Sequence, residues 1–407
     1  MLKLSGISCI FVGSLRSNLS KQAKLQLACS NFRKNATRTM ITLPYKEDKK
    51  KPAPWPYQDK TLTPIHVMMD LTLARFDENT KLIIVEGPIN SGKREVAKKI
   101  AEAFGILYMP PPTMDIDYIN AYGYDMRNLD PKLPESLRSF DEKKFNLDPT
   151  HPNAATFQLC MYKHRFVNHL NALRHILNTG EGVVTVGSPF SDFVWAEAMF
   201  QCGYISPQIR NYYYEVVRQS IHNLYRPHLI VYLDVPVNKT IENIKTRGAD
   251  YEVNSKALTP EFLQSLEKIS KEKYLREADV PGSVLMADFS EEEDVDNIIE
   301  DIENIDFDSE RHSRDPKYAD WRKDEWWQDW HRLQYTRNTG RCRIFSQMNF
   351  ISYDTPELFA NESEWDAYQQ IWKSAPGMEY ARGFNPKRGD KNIMLKVDER
   401  FPEGPTL

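Results

Sequence analysis

A glycine-rich loop is the segment of the sequence best suited to chemistry. It runs Gly87-Pro88-Ile89-Asn90-Ser91-Gly92-Lys93, after an apolar stretch at 81–86 and before an amphipathic stretch. Glycines let backbone N–H groups approach phosphate oxygens, the start of a following helix adds positive potential, and the lysine reaches the outer phosphates. The order strand, loop, helix is the context that such a motif requires, so the sequence predicts a phosphate-binding loop. An unrelated glycine-rich turn is the alternative.

The residue after the lysine bears on whether phosphoryl transfer is expected. Loops of this kind normally continue with Ser or Thr, whose hydroxyl binds the Mg²⁺ that bridges the phosphates. This chain has Arg94 and then Glu95. A guanidinium binds phosphate well but cannot bind a cation. We therefore expect nucleotide binding to survive more easily than catalysis, with the candidate loop residues Gly87, Asn90, Ser91, Gly92, Lys93 and Arg94.

A parallel α/β sheet is predicted to position this loop. Apolar segments rich in β-branched residues alternate with longer helical patterns, which indicates strands covered by helices on both faces. The predicted strands are 81–86, 106–108, 183–186, 229–233 and 284–286, and predicted helices follow the loop and lie at 156–178 and 212–225. The expected fold is a three-layer P-loop α/β domain with a parallel five-stranded sheet and a C-terminal extension. Ligands of such sheets bind at the carboxyl ends of the strands.

The first 46 residues differ in composition from the rest of the chain. Basic residues and serines precede the first acidic residue, Glu47. That composition is typical of a mitochondrial presequence, with a secretion signal or a disordered tail as alternatives. No stretch approaches the ~20 apolar residues that a membrane helix requires. We expect a soluble or peripheral protein of the mitochondrial matrix.

The net charge and the cysteines limit the classes of partner and cofactor, and the composition along the chain suggests its domain boundaries. A net charge of −4 over 407 residues gives no indication of a nucleic-acid partner. The cysteines outside the presequence, Cys160, Cys202 and Cys342, lack the spacing of a metal cluster or a disulfide scaffold. The predicted segments are a presequence at 1–46, an extended N-terminal arm or mobile linker at 47–75, the P-loop domain at 76–306 and a C-terminal extension at 307–407.

The extension is rich in tryptophan. Trp321, Trp326, Trp327 and Trp330 are predicted to lie in one helix, with Trp326 and Trp330 on the same face. Large aromatic side chains are common at the centre of protein interfaces, so a partner-binding role is one interpretation. Packing against the chain's own domain is the other, and the two can hold for different rings.

Several longer runs carry a resemblance to a known family. They are residues 76–89, 118–127, 191–200, 227–236 and 376–386, of which the second reads Tyr118-Ile119-Asn120-Ala121-Tyr122-Gly123-Tyr124-Asp125-Met126-Arg127. In these runs the chain resembles the deoxynucleoside-kinase-like accessory subunits of mitochondrial respiratory complex I (NADH:ubiquinone oxidoreductase). The resemblance spans nearly everything after the predicted presequence, and true deoxynucleoside kinases lack the C-terminal runs.

The resemblance implies that magnesium-binding positions have changed. Active deoxynucleoside kinases carry Glu-Arg-Ser after the third strand, where this chain has Val186, Gly187 and Ser188. Those kinases place a general-base Glu after the second strand. Here Asp115 or Asp117 could be proposed as the base, and a first-turn or loop aspartate is the commoner interpretation, given the preference of Asp for helix starts.

Other kinase positions persist. Gln158, after Phe157, matches the glutamine that binds the nucleobase, with a solvent-facing or helix-stabilising glutamine as the alternative. Arg247 lies where the kinases place arginines in a lid over the phosphates, and a solvated surface arginine is the alternative. Asp234 resembles the carboxylate that ends a metal-binding strand, but strands ending in Asp are also common turn arrangements.

The leading hypothesis is a non-catalytic accessory subunit on the matrix side of complex I, with other complex I subunits as partners. Its role would be structural, or in assembly, within electron transport from NADH to ubiquinone. The rivals are an active mitochondrial deoxynucleoside kinase using Lys93, Gln158 and Asp115, and a nucleotide sensor without turnover. No catalytic residue, metal site or required cofactor is predicted, FAD included. ATP or dGTP is the nucleotide expected at the loop.

Overall fold

The computed structural model of the protein describes Met40 and residues 51–278, 284–289, 295–307, 319–350, 352–381 and 383–391. Apart from Met40, the predicted presequence lies outside these residues. Within the described ranges, every helix is too short or too polar to cross a bilayer.

A five-stranded parallel sheet forms the centre of the domain. Its strands are β1 Leu82–Glu86, β2 Leu107–Met109, β3 Val183–Val186, β4 Leu229–Asp234 and β5 Val284–Asp288. Their order is β2-β3-β1-β4-β5, and all neighbouring strands are parallel. The predicted sheet is confirmed, with β1 between β3 and β4. The loop after β1 therefore lies at the edge where the carboxyl ends of three neighbouring strands meet.

Helices cover both faces of the sheet and continue into the C-terminal extension. They are α1 Pro64–Met69, α2 Lys93–Phe104, α3 Asp115–Tyr118, α4 Glu142–Leu147, α5 Asn153–Thr179, α6 Phe193–Gln201, α7 Pro207–Ser220, α8 Val237–Arg247, α9 Asp250–Val253, α10 Pro260–Ile269, α11 Leu275–Ala278, α12 Val295–Glu303, α13 Glu325–Thr336, α14 Asn338–Ser346 and α15 Glu362–Lys373. A π-helical segment, Ser270–Tyr274, joins α10 to α11.

Alternate residues of the strands supply two hydrophobic layers. Leu82 packs in the layer that contains α5, whereas Ile83 and Val85 pack in the layer that contains α2 and α12. Side chains of a strand alternate between the two faces of a sheet, so a strand that is apolar throughout must be covered on both. This explains why α5, which also contacts the extension, is buried along nearly its whole length.

The end of α5 shows why a glycine was a reliable helix stop. Gly180 has φ +72°, and a Cβ there would lie 2.2 Å from the carbonyl oxygen of Arg75. Any other residue would meet both a strained backbone and a clash. The predicted helix at 156–178 is confirmed as α5. The one predicted at 212–225 is α7, which begins earlier because Ser206 Oγ accepts from the Ile209 N–H, and which ends at Ser220.

The arm and the extension both differ in part from expectation. The arm is not extended throughout, because α1 forms at Pro64–Met69 with Thr63 as its N-cap. In the extension, Trp321 precedes α13 rather than lying within it, and its indole N–H donates to the carbonyl oxygen of Arg226 at 2.7 Å. The sequence resembled a continuous helix there because charged residues at helical spacing surround the ring.

Met40 lies within the predicted presequence yet packs in the protein core. Its side chain is 1% exposed and belongs to the same hydrophobic layer as Phe104. Its backbone N–H donates to Asn79 Oδ1 at 3.1 Å. The boundary at residue 46 stays a prediction, and Met40 indicates that folded structure begins before it.

Candidate phosphate-loop site

The glycine-rich loop connects the carboxyl end of β1 to the start of α2, as predicted. Gly92 is the N-cap of α2 with φ +82°, a left-handed conformation that favours glycine. Asn90 also has positive φ, +53°, which asparagine tolerates better than most residues. These two left-handed residues turn the backbone sharply, and Ser91 between them is buried. The chain thus forms the loop and helix start that suit an anion.

Lys93 is held by the loop itself. Its ammonium donates to the carbonyl oxygens of Gly87, at 2.8 Å, and Pro88. Burial lowers the pKa of Lys93 to about 8, although the nearby Glu86 carboxyl opposes that shift. Two of the three N–H groups of the ammonium are therefore directed at the loop's own carbonyl oxygens.

Glu86 is a buried carboxyl group directly before the loop. It ends β1, and Ser191 Oγ donates to its Oε1 at 2.6 Å. Burial raises the pKa of Glu86, against the effect of the hydrogen bond from Ser191 and the charges of Arg165 and Lys93. Glu86 was not among the predicted site residues. Its position at the end of a buried strand, next to Gly87, was the available signal.

Gln158 belongs to a buried polar network. Its Nε2 donates to Asp192 Oδ2 at 2.9 Å, and the Tyr213 hydroxyl donates to the same oxygen at 2.7 Å. The Arg165 guanidinium pairs with Asp192 Oδ1. Burial raises the pKa of Asp192, although Arg165 opposes the shift. Gln158 is therefore neither solvent-facing nor a helix-stabilising surface residue.

Arg165 links this network to the loop. It lies two turns after Gln158 on α5, and its charge acts on both Glu86 and Lys93. Arg165, Asp192 and Tyr213 were not predicted. The seven-residue spacing of Gln158 and Arg165 places them on one helix face and was the signal for Arg165. Nothing local marks Asp192 or Tyr213, since tertiary packing brings them together.

The segment expected to form a lid contacts the loop through a carboxylate. Glu252 of α9 accepts from Asn90 Nδ2 at 3.2 Å and from the backbone N–H of Ala249 at 2.9 Å. Arg94 and Arg247, both predicted as phosphate ligands, are exposed, and Arg247 is the last residue of α8. The negative group nearest the loop from this segment is thus Glu252, which was not predicted.

Each of the two candidate bases contacts a basic side chain. The Asp115 carboxylate lies 2.8 Å from Arg127, and Asp117 Oδ2 lies 2.9 Å from His164 Nε2. Both residues lie in the first turn of α3, so their positions fit the first-turn interpretation, and Asp117 is buried there.

A cavity lies beside the loop. Its lining includes Glu86, Ser191, Trp195, Tyr232 and Tyr274. Asp234, at the end of β4, is close to this region, and its Oδ1 lies 2.8 Å from the Lys271 ammonium. Among the described residues, no group of His, Cys, Asp and Glu side chains is arranged to hold a metal ion.

Comparison with known proteins identifies the family. The sequence model of the family "Deoxynucleoside kinase" matches residues 83–312. The mouse (Mus musculus) protein "NADH dehydrogenase (ubiquinone) 1 alpha subcomplex subunit 10, mitochondrial" is 31% identical over 81% of this chain and 88% of its own length. A "Deoxyguanosine kinase" of Dictyostelium discoideum is 25% identical over 58% of this chain and 73% of its own length.

Among solved structures, deoxyadenosine kinase from M. mycoides with bound dATP is similar to 55% of this chain. The match covers 97% of the kinase, with 19% identity and a TM-score of 0.39. The family model covers more than half of the chain, and the mouse relative matches 81% of it. The chain therefore belongs to the deoxynucleoside kinase family, in the group of relatives that includes the alpha subcomplex subunit 10 of mitochondrial NADH dehydrogenase.

Proposed function

We propose that the protein is a non-catalytic accessory subunit of mitochondrial respiratory complex I, held on the matrix side of the inner membrane. The observation that carries this proposal is the 31% identity to the mouse subunit across 88% of that protein's length. The relationship to the deoxyguanosine kinase of D. discoideum covers a smaller part of this chain, 58%. Its role in this proposal is structural, or in assembly, within the electron transport chain.

The site chemistry supports the absence of phosphoryl transfer. Arg94 stands where a kinase would have a magnesium-binding hydroxyl. Lys271 neutralises Asp234, the carboxylate that could otherwise bind a metal ion from β4. Lys93 donates to the loop's own carbonyl oxygens. Each feature removes or occupies a group that would stabilise charge on a transferred phosphoryl group.

An exposed apolar surface supports a partner. Helix α1 packs on α13, and Leu73 N donates to Glu325 Oε1 at 2.9 Å across that contact. The large apolar side chains left exposed on these neighbouring elements are Ile65, Met68, Met69, Leu71, Trp326 and Trp330. Such an apolar surface is unusual for a protein without partners. In this proposal it contacts another complex I subunit, while Trp321 and Trp327 pack inward.

Native electrophoresis of mitochondria tests the proposal directly. An epitope-tagged protein is expected to comigrate with NADH dehydrogenase activity, and depletion of the protein should reduce the amount of assembled complex. A protein that migrates only as a free monomer would contradict a subunit role. Incubation with ATP, Mg²⁺ and deoxynucleosides tests the kinase rival, because turnover at about 1–100 s⁻¹ would identify an active enzyme.

Nucleotide binding without turnover is a second candidate function. It is favoured by the loop geometry at Asn90 and Gly92 and by the buried network around Gln158. ATP or dGTP, added without Mg²⁺, is expected to raise the melting temperature of the protein. A Lys93→Ala variant should lose this shift. An unchanged shift in that variant would place the nucleotide elsewhere.

A further inference from the structure

A second pocket lies between the kinase-like domain and the C-terminal extension. It is bounded by α3, α5, the segment 126–140 and α15. Arg138, which also lines it, is exposed.

This pocket is separate from the phosphate-loop site. Its α15 wall lies after residue 312, where the match to the deoxynucleoside kinase family ends. On α5 it is lined by Thr156, Phe157 and Cys160, whereas Gln158 and Arg165 join the network around Asp192. Residues three, four or seven positions apart lie on the same face of a helix, so these two sets of residues lie on different faces of α5. The pocket is therefore a feature that the extension adds to the domain.

The lining is mainly apolar and aromatic. On α15, the rings of Trp365 and Tyr368 stack with centroids 5.3 Å apart, and those of Tyr368 and Trp372 stack at 5.0 Å. Met114 and Phe157 line the pocket from the kinase-like domain. Such a surface favours the burial of a ring system rather than of a strongly hydrated group.

Polar atoms in this lining lack hydrogen-bond partners. Asp117 is 4% exposed and Trp365 is 6% exposed. Within the part of the chain that the structure describes, no partner is found for Asp117 Oδ1, Thr156 Oγ1, Trp365 Nε1 or Trp372 Nε1. Buried polar groups are nearly always paired, because leaving one unpaired costs about 1–3 kcal/mol. Several such atoms around one cavity indicate a ligand that pairs with them.

The donor or acceptor character of these unpaired atoms restricts the chemistry of the ligand. An indole N–H only donates, and a carboxylate oxygen only accepts. The ligand must therefore accept from Trp365 or Trp372 and donate to Asp117, while it presents an apolar body to the rings. We propose that this pocket binds a flat nitrogen heterocycle that carries an amino group. Its ring nitrogens accept from the indoles and its amino group donates to Asp117.

Binding of 2-aminobenzimidazole to the full mature protein, measured by calorimetry and saturation-transfer NMR, tests the proposal. Wild type and Lys93→Ala are expected to bind the probe equally, and ATP should not displace it. Asp117→Asn, which keeps the shape but replaces the accepting oxygen pair with an amide, should weaken binding at least about tenfold. Thr156→Val keeps the side-chain shape and should weaken binding less.

A second variant keeps the test decisive if Asp117→Asn does not fold, since Asp117 also pairs with His164. Trp372→Phe keeps a six-membered aromatic ring and removes the five-membered ring with its N–H, and it should weaken binding roughly three- to tenfold. Equal binding by wild type and Trp372→Phe together with displacement by ATP would overturn the proposal. So would the absence of any binding to the folded wild-type protein.

Discussion

Replacement of Arg332 is predicted to destabilise the whole protein. Arg332 on α13 is fully buried and joins the extension to the arm and to α5. Its guanidinium donates to Asn178 Oδ1 at 3.0 Å, to the carbonyl oxygen of Asp70 at 2.7 Å and to Asp70 Oδ2 at 2.9 Å. An Arg332→Met variant keeps most of the apolar stem and removes all of these hydrogen bonds.

The size of the destabilisation depends on which partners of Arg332 keep other contacts in the variant. Breaking a buried ion pair by removal of one partner costs ~3–5 kcal/mol. Here Asp70 keeps its contact with Arg75, and Asn178 keeps its hydrogen bond to Thr336 at 2.8 Å. We therefore expect the lower end of that range, about 3 kcal/mol. For a domain of this size that lowers the melting temperature by ~6–12 °C.

The effect should also depend on pH. Burial alone would raise the pKa of Asp70, but hydrogen bonds from Arg75 and Arg332 outweigh burial and lower it. A carboxyl group whose pKa is lowered by folding stabilises the folded state fully at pH values above its pKa in the unfolded chain, which is about 4. This stabilisation is lost as the pH falls below that value. The difference in the free energy of unfolding between wild type and Arg332→Met should be largest at pH 7 and should shrink below about pH 4.

Thermal unfolding followed by circular dichroism measures the effect, with Arg343→Met as the matched control. Arg343 is an exposed arginine on the neighbouring helix α14. Its replacement should change the free energy of unfolding by less than about 0.5 kcal/mol. If Arg332→Met is no less stable than Arg343→Met, the hydrogen bonds of Arg332 do not stabilise the packing of the extension, and the prediction is wrong.

Four further predictions concern the site, the chain start and the partner surface. Because the pKa of Lys93 is about 8, stabilisation by ATP should fall between pH 7 and pH 9, whereas it should stay constant over that range in a Lys93→Arg variant that binds ATP. Glu252→Gln removes a negative charge beside the loop and should tighten ATP binding roughly two- to fivefold in calorimetry. Mass spectrometry of the mitochondrial protein should find an N-terminus before Met40, since later cleavage would remove a buried core residue. Replacement of Trp326 and Trp330 by Ala should reduce comigration with complex I on native gels while the melting temperature stays within about 2 °C, because both rings are exposed.

The sheet was predictable because its signals are local. The strands are apolar and rich in β-branched residues, and glycines mark helix ends at Gly105 and Gly180. The error at Trp321 has a physical reason, since an aromatic residue before a helix gives the same spacing pattern as one inside it. Helix α1 was missed because the prolines and lysines before it suggested an extended chain, whereas Thr63 and Pro64 form a standard helix start.

The candidate site was predictable only where neighbours in sequence are neighbours in space. The loop from Gly87 to Lys93 could be identified from its own residues. Asp192 and Glu252 could not, because each reaches its partner across more than thirty residues of chain. Their carboxylates changed the interpretation of the site. Asp192 accepts a hydrogen bond from the amide of Gln158, and Glu252 accepts one from Asn90 of the phosphate loop.

The contacts at the loop and those of the extension have one physical consequence in common. A kinase must open and close a lid in each turnover, so contacts that fix the lid or the lysine would slow it. Here Glu252 binds Asn90, and Lys93 donates to its own loop. The extension is fastened as well, since the Tyr122 hydroxyl donates to Asp390 Oδ2 at 2.7 Å. Such contacts are compatible with the structural role that we propose, because that role depends on a stable surface rather than on a cycle of motion.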